Sequence, residues 1–302
     1  MKIIESCPIC NSNELSTYSM KYSAGFPHIA RTQCGNCKLV FANPMATADE
    51  LNAFYANYYE KGNFEALAYK NKTSELFSQI DSTHATDSSD STDFKSLSTF
   101  DKNIVKYTPN GNFLDIGFGL GFQLYLANKC GATAVYGTEL DADAIQFVQS
   151  YLPNANLFEG ELISAKYDDN YFDTINLCHV IEHVLNPVEY INEVYRITKK
   201  GGILILATPN IASFPYKLFR AFNFLSFKVP VIVDGLEHTF IFSKKNLRAL
   251  AESAGYKVKT HYSEAVNDSF QNIFKSNLSF RKKCVRYIQT KLKINQVLVL
   301  VK

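Results

Sequence analysis

Three groups of residues in this chain carry side chains from which chemistry can be built. The run Asp115-Ile116-Gly117-Phe118-Gly119-Leu120-Gly121 sets three glycines at alternating positions behind a carboxylate, where an apolar stretch gives way to an amphipathic one. Glycine at such a turn lets backbone and ligand approach with no Cβ between them. Cys7-Pro8-Ile9-Cys10 and Cys34-Gly35-Asn36-Cys37 are two C-x-x-C pairs, each able to present two thiolates to one tetrahedral ion. His179-Val180-Ile181-Glu182-His183, with His238 further on, supplies imidazoles whose ordinary pKa suits proton transfer near neutrality.

The spacing of the glycines narrows the ligand. A dinucleotide fingerprint, G-x-G-x-x-G, begun at Gly117 needs its third glycine at position 122, where Phe122 stands. The observed G-x-G-x-G lacks that close helix contact for a pyrophosphate, whereas the amino-acid end of S-adenosylmethionine makes different demands. Asp115 can hold an ammonium group directly or through water. The Asp115 to Gly121 run resembles motif I of the Rossmann-like, class I S-adenosylmethionine-dependent methyltransferases. The resemblance continues through Glu139 at the end of VYGTEL, Glu161 in EGEL, and the stretches DTINLCHVIEHVLNP and GGILILATPN, which are similar to the fourth and fifth strands of that family. It covers roughly Gly111 to Tyr262. It implies a cofactor site of Asp115, Gly117, Phe118, Gly119, Gly121, Glu139 and Glu161, with Glu139 on the ribose hydroxyls and Glu161 where many relatives have an Asp meeting the adenine amino group. A nucleotide-dependent oxidoreductase and a non-catalytic, zinc-stabilised scaffold that keeps the fold are the alternatives.

Four of the seven cysteines lie in the C-x-x-C pairs, a usage that fits a metal site in a reducing compartment better than a disulfide framework. Cys7, Cys10, Cys34 and Cys37 would fill all four positions of a zinc ion and leave none open, which makes the expected zinc structural. A redox pair, unmetallated core cysteines, and iron in place of zinc are the other readings. Cys130, Cys178 and Cys284 stand alone and read as small core residues. The segment CKLVFANPMATADELNAFY also resembles a cysteine-bearing N-terminal module found ahead of certain bacterial methyltransferases, including sugar-modifying ones.

His179-x-x-Glu182-His183 matches the inverted zinc-protease pattern H-x-x-E-H, which requires a helix and a third ligand downstream. Here His179 directly follows an expected buried strand, at the carboxyl end where an open α/β sheet binds its ligands. Methyl transfer is an in-line displacement at carbon, so alignment and exclusion of water supply much of the rate, and a base is needed only for a protonated acceptor. His179, His183 and His238 are the candidate bases; His238 in GLEHTFIFS resembles a histidine preceding the last helix of related enzymes. Each is equally open to a structural, hydrogen-bonded role.

These residues need a scaffold, and the apolar runs supply it. Phe113–Ile116, Ala134–Gly137, Asn156–Phe158, Thr174–Cys178 and Ile203–Ala207 read as buried parallel strands, with helices at Phe122–Lys129, Ala142–Tyr151 and Val188–Thr198 between them. That alternation predicts an α/β fold: a doubly wound, mostly parallel seven-stranded sheet with helices on both faces, plus a small N-terminal zinc-binding module. Ser243 caps a helix to Ala254, Tyr256–Tyr262 alternates like a strand, and NQVLVLVK closes the chain as a buried strand after a basic helix at about Phe270–Lys293. The expected division is a zinc module at 1–45, a helical segment and linker at 46–110 with STHATDSSDSTDF (Ser82–Phe94) as its loop, and the methyltransferase domain at 111–302. A cap insertion falls at about 212–240.

At 302 residues and 46% hydrophobic composition the chain can bury one large core and a smaller one. The formal net charge of +2 gives no reason to expect a nucleic-acid partner. MKIIESCPIC has no signal-peptide h-region and no apolar run has spanning length, so the expected location is cytoplasmic. The expected partner is a small-molecule acceptor, phosphorylated or nucleotide-linked, such as a sugar nucleotide or another glycan precursor. The aromatic and basic stretch at 214–233 reads as a cap over that acceptor, with peripheral membrane contact a less favoured alternative.

Overall fold

The computed structural model describes residues 1–18, 30–55, 64–84, 97–214, 216–217, 238–264 and 293–302. The chain divides into two compact units. Unit 1 comprises Met1–Ala48, His179–Ile191 and Ala207–Val299; unit 2 comprises Asp49–Cys178, Asn192–Leu206 and Leu300–Lys302.

The strands of the larger sheet are β4 (Asn112–Ile116), β5 (Ala134–Glu139), β6 (Asn156–Glu159), β7 (Phe172–Cys178), β8 (Thr198–Pro209), β10 (Lys257–Glu264) and β11 (Asn295–Val301), in the order β10-β11-β8-β7-β4-β5-β6. Pairing of β4 with β5, β4 with β7 and β5 with β6 is parallel. This is the doubly wound, seven-stranded sheet the sequence pattern predicts. Its order turns back on itself at β4, which has β5 on one side and β7 on the other; crevices for ligands open at such switch points, beyond the carboxyl ends of the strands. Phe113, Leu114 and Ile116 of β4 and Ile175 and Leu177 of β7 are buried, as unbroken apolar runs in a two-sided sheet must be.

In unit 2 the helices are α2 (Phe64–His84), α3 (Thr99–Tyr107), α4 (Phe122–Lys129) and α5 (Ala142–Tyr151). Ser98 caps α3 by accepting from Asp101 N, and Asp141 caps α5 by accepting from Ala144 N, each satisfying a donor that the first turn leaves open. α2 packs on α4 through Phe77, stacked on Tyr125 with ring centroids 4.1 Å apart, while the Tyr125 hydroxyl donates to Asp81 at 2.7 Å. Ser82 to His84, expected to open a loop, instead complete the last turn of α2. Ser, Thr and Asp lower helix propensity only weakly, and packing two turns upstream overrides them. Residues 85–94 of that run lie outside the described residues.

Unit 1 holds a four-stranded sheet in the order β1 (Leu15–Thr17), β2 (Arg31–Cys34), β3 (Val40–Ala42) and β9 (Phe240–Ile241), all antiparallel. The cysteine-bearing segment therefore shares its sheet with a strand from near residue 240. Tyr18, Val40, Ile211, Tyr216 and Ile241 form one apolar cluster there. Ser243 caps α7 (Lys244–Ser253) with a reciprocal capping box to Asn246. The other described α-helices are α1 (Ala48–Tyr55), in unit 2 but for Ala48, and α6 (Pro187–Ile197), which falls in unit 1 up to Ile191 and in unit 2 from Asn192. Among the described residues no helix is long and apolar enough to cross a membrane. The expected basic helix, up to residue 292, and most of the expected cap, 218–237, lie outside the described residues, as does Cys284.

Candidate functional site

In unit 2 the candidate cofactor site is built at the carboxyl ends of β4 and β5. Gly117, Gly119 and Gly121 all have positive φ, at 66°, 52° and 73°. The turn is fixed by bonds from Gly117 N to Thr138 O (2.8 Å) and from Gly121 N to Phe118 O (2.8 Å). At Gly121 a second constraint joins the backbone one: a Cβ there would lie 2.6 Å from Val148 Cγ2. Phe118 is buried rather than facing out, and a Cβ on Gly137 would meet its ring at 2.5 Å. It shapes the turn from beneath.

Two carboxylates face this turn. Glu139 Oε2 accepts from Gly119 N at 2.8 Å, and Oε1 accepts from Leu140 N at 2.7 Å and Asp141 N at 3.2 Å. Burial raises the Glu139 pKa, and these three N–H groups recover only part of that shift. Asp115 is 2% exposed; its Oδ1 accepts from Asn176 Nδ2 at 2.6 Å. Burial, reinforced by the charge of Glu139 and opposed by the Asn176 hydrogen bond, pushes the Asp115 pKa up to about 7. Asp115 Oδ2 and Asn176 Oδ1 are both buried without a hydrogen-bond partner among the described residues. Two orphaned acceptors side by side, on residues paired across β4 and β7, suit a ligand that brings donors, above all a cation. Asn176 is a site residue that sequence reasoning passes over, because only the register of two strands 61 residues apart puts it beside Asp115. Glu161 is exposed and precedes the short 3-10 helix Leu162–Ala165, with no side-chain bond to it.

In unit 1 the cysteines do converge. Cys7 Sγ lies 3.6 Å from Cys37 Sγ, Cys10 Sγ lies 3.6 Å from Cys34 Sγ, and all four sulfurs fall within 4.8 Å of one another. Four thiolates on a tetrahedral zinc at ~2.3 Å would stand ~3.8 Å apart along each edge, so the donor set fits the ion. Cys37 N and Asn36 Nδ2 point N–H donors at Cys34 and Cys10 sulfurs, at 3.4 and 3.7 Å, as thiolate ligands favour. Burial pushes the Cys7 thiol pKa up; at Cys10 desolvation acts the same way, but the Ser12 N–H and neighbouring thiols overcome it and bring the value to about 7.

The histidines also lie in unit 1, on a turn and not a helix. His179 has φ +56°, and residues 181–183 form a turn closed by His183 N to Val180 O at 2.9 Å. The helix that a protease reading of H-x-x-E-H requires is therefore missing from this segment. Glu182 is 1% exposed and takes a 3.0 Å hydrogen bond from His179 Nδ1 on Oε1, with His183 Nε2 3.9 Å away. The His183 and His238 rings are 4.8 Å apart. Main-chain bonds hold this cluster: Phe240 N donates to Glu182 O at 2.9 Å, and Arg31 donates to His238 O. Burial alone would raise the Glu182 pKa, but the His179 hydrogen bond and the charges of His179, His183 and His238 hold it down to about 2. Desolvation opposes protonation of His179, yet the Glu182 bond raises its pKa; with 42% of that side chain exposed, the ion pair governs. Asn295 Nδ2 sits 3.3 Å from His179 Nε2, a partner that no local motif marks.

A switch-point turn lined by left-handed glycines, with the buried Asp115 and the half-buried Glu139 at adjacent strand ends, defines a Rossmann-like α/β protein of the class I methyltransferase type. Comparison with known proteins agrees. Residues 74–261 match the family described as a methyltransferase domain. That match takes in more than half of the chain, which belongs to this methyltransferase-domain family. The chain is 26% identical over 147 residues to the ubiquinone/menaquinone biosynthesis C-methyltransferase of Geotalea daltonii, covering 45% of this chain and 61% of that one. To the mitochondrial ubiquinone biosynthesis O-methyltransferase of Dictyostelium discoideum it is 29% identical over 113 residues, 33% of this chain and 35% of the relative. The chain thus spans less than two thirds of these relatives. Its fold is similar to that of the cyclase SpnF, with TM-score 0.50 and 15% identity over 67% of this chain and 80% of the other.

Proposed function

We propose that this protein transfers a methyl group from S-adenosylmethionine to a small-molecule acceptor, with a sugar nucleotide or another glycan precursor as the acceptor class. The observation that carries the reading is the Asp115 and Asn176 pair, whose orphaned, buried acceptor atoms lie beside the Gly117 to Gly121 turn. The cofactor supplies an activated methyl on a sulfonium when bound; the chain supplies binding and alignment. Asp115 Oδ2 accepts from the cofactor's ammonium group. Glu139 has about four lone-pair sites, three of them already on backbone N–H groups, so a ribose diol takes the remaining site and displaces the Gly119 bond. Glu161, at the surface end of β6, reaches the adenine amino group.

For a hydroxyl acceptor, His179 is the proposed base: Glu182 orients its ring and stabilises the imidazolium, the same division of labour as in a carboxylate–histidine pair. His183 and His238 are the other candidates. Cys7, Cys10, Cys34 and Cys37 hold a zinc ion that organises the start of the chain. The acceptor proposal draws on the cysteine-bearing segment's likeness to modules of sugar-modifying methyltransferases, and the proposed cytoplasmic location draws on cysteines used as metal ligands, which suits a reducing compartment.

The test is formation of S-adenosylhomocysteine by the purified chain with a panel of nucleotide sugars, free sugars and quinone precursors. Turnover with nucleotide sugars supports the proposal in full. Turnover confined to quinone precursors replaces the acceptor class. Cofactor binding with no turnover on any acceptor would instead support a scaffold that retains the fold.

A further inference from the structure

The histidine cluster carries more than a base. Glu182, His183 and His238 each offer a ligand atom, and these three atoms lie within 4.8 Å of one another. Glu182 is buried, and its charge is expensive to keep there unless it is paired. Its Oε1 is engaged by His179, but Oε2 is buried without any hydrogen-bond partner among the described residues. A buried carboxylate oxygen left open on a residue that offers a ligand atom within 4.8 Å of two imidazoles is a coordination position more readily than a structural contact. His179 acts behind it: by fixing Oε1, the imidazole leaves Oε2 as the free ligand, as outer partners of metal-bound carboxylates do.

We infer that Glu182, His183 and His238 form a three-ligand site for a divalent transition-metal cation, separate from the four-cysteine site. The donor set, two imidazoles and one carboxylate, suits Mn2+, Fe2+ or Zn2+ and leaves coordination positions open to an oxygen ligand. Ligands on a tetrahedral ion at ~2.1 Å stand ~3.4 Å apart, so the cluster closes by about 1 Å as the ion enters. The ring pair is held for this movement by its backbone: Arg31 fixes the His238 carbonyl, Phe240 N the Glu182 carbonyl, and Thr239 Oγ1 the His183 carbonyl at 3.4 Å. The four-cysteine site differs in chemistry, because thiolates favour softer ions and bind Mn2+ poorly.

The probe is Mn2+, titrated into the full chain as purified and followed by loss of the free-ion signal in electron paramagnetic resonance. Elemental analysis of the same sample counts ions already bound. The expected result is one more bound ion per wild-type chain, as purified plus Mn2+ taken up, than per His238→Ala chain, with Mn2+ affinity weakened by at least about tenfold in Glu182→Gln. Cys34→Ser should leave Mn2+ uptake intact. His183→Gln, near the surface, provides the same readout if Glu182→Gln does not fold, as judged by circular dichroism. Equal metal content and Mn2+ affinity in wild type and in the folded variants would overturn the site, as would the absence of saturable Mn2+ binding in a wild type whose only ion is in the cysteine cluster. Because no step involves S-adenosylmethionine, this result stands apart from the methyltransferase proposal.

Discussion

The protonation of Asp115 makes the cofactor site testable by pH alone. With its pKa raised to about 7 in the unliganded chain, Asp115 is mostly neutral below neutrality. A cofactor ammonium pairs with the ionised carboxylate and draws its pKa down, so binding releases a proton and affinity rises with pH. At pH 5.5 about 3% of the chains carry the charge and at pH 7.5 about three quarters, a ratio of about 25. The ligand's own amino group, of pKa about 7.8, is by then about one third deprotonated, which leaves roughly 17-fold tighter binding at pH 7.5, and above that the gain stops. Calorimetric titration at pH 5.5, 6.5 and 7.5, each in two buffers of different ionisation heat, gives both affinity and protons released. Asp115→Asn has no carboxylate to ionise, so its weaker affinity should stay level across the same range. Constant wild-type affinity from pH 5.5 to 7.5, with no proton release, would refute the assignment of Asp115 to the ammonium group.

Three further outcomes follow from the same geometry. Gly121→Ala forces a side chain to φ +73° and against Val148, and should destabilise the fold by about 2–4 kcal/mol in urea unfolding; adding Val148→Ala should restore the steric part and leave the backbone part. Cys34→Ser removes one of four thiolates and should lower zinc content and solubility while S-adenosylmethionine affinity is unchanged; full zinc stoichiometry in that variant would dismiss the four-cysteine site. Glu182 has a folded pKa near 2, below its unfolded value, so its stabilisation is complete above about pH 4.5 and is lost as pH falls from there through 2. Urea unfolding of wild type should therefore weaken between pH 5 and 3 by about 2 kcal/mol more than that of Glu182→Gln, and parallel pH profiles would show that the carboxylate is not held in this way.

The sheet was readable because its strands are short apolar runs between strong punctuation. Phe122–Lys129 and Ala142–Tyr151 emerge with the bounds expected of them, since Gly121 and Asp141 mark their starts in the sequence itself. Ser243 likewise announces α7. The end of α2 was not readable, because Ser82 and Thr83 look like loop residues and the contact that extends the helix, Phe77 on Tyr125, joins elements far apart in the chain. The candidate site divides the same way. Its glycines, Asp115, Glu139 and the cysteine pairs declare themselves by local spacing. Asn176 and Asn295 do not: each acquires its role from strand pairing or from a fold that returns the chain to His179, and no local pattern encodes that. The positive φ of His179 is equally unannounced, and it is what turns the H-x-x-E-H pattern away from a protease helix.

Reception of S-adenosylmethionine by the turn from Gly117 to Gly121 is measured by calorimetric titration of the full chain with that ligand, with NADH alongside. Saturable binding of S-adenosylmethionine, lost in Gly119→Arg, with no heat from NADH, is the predicted result. Binding of NADH alone, or of neither ligand, would contradict it.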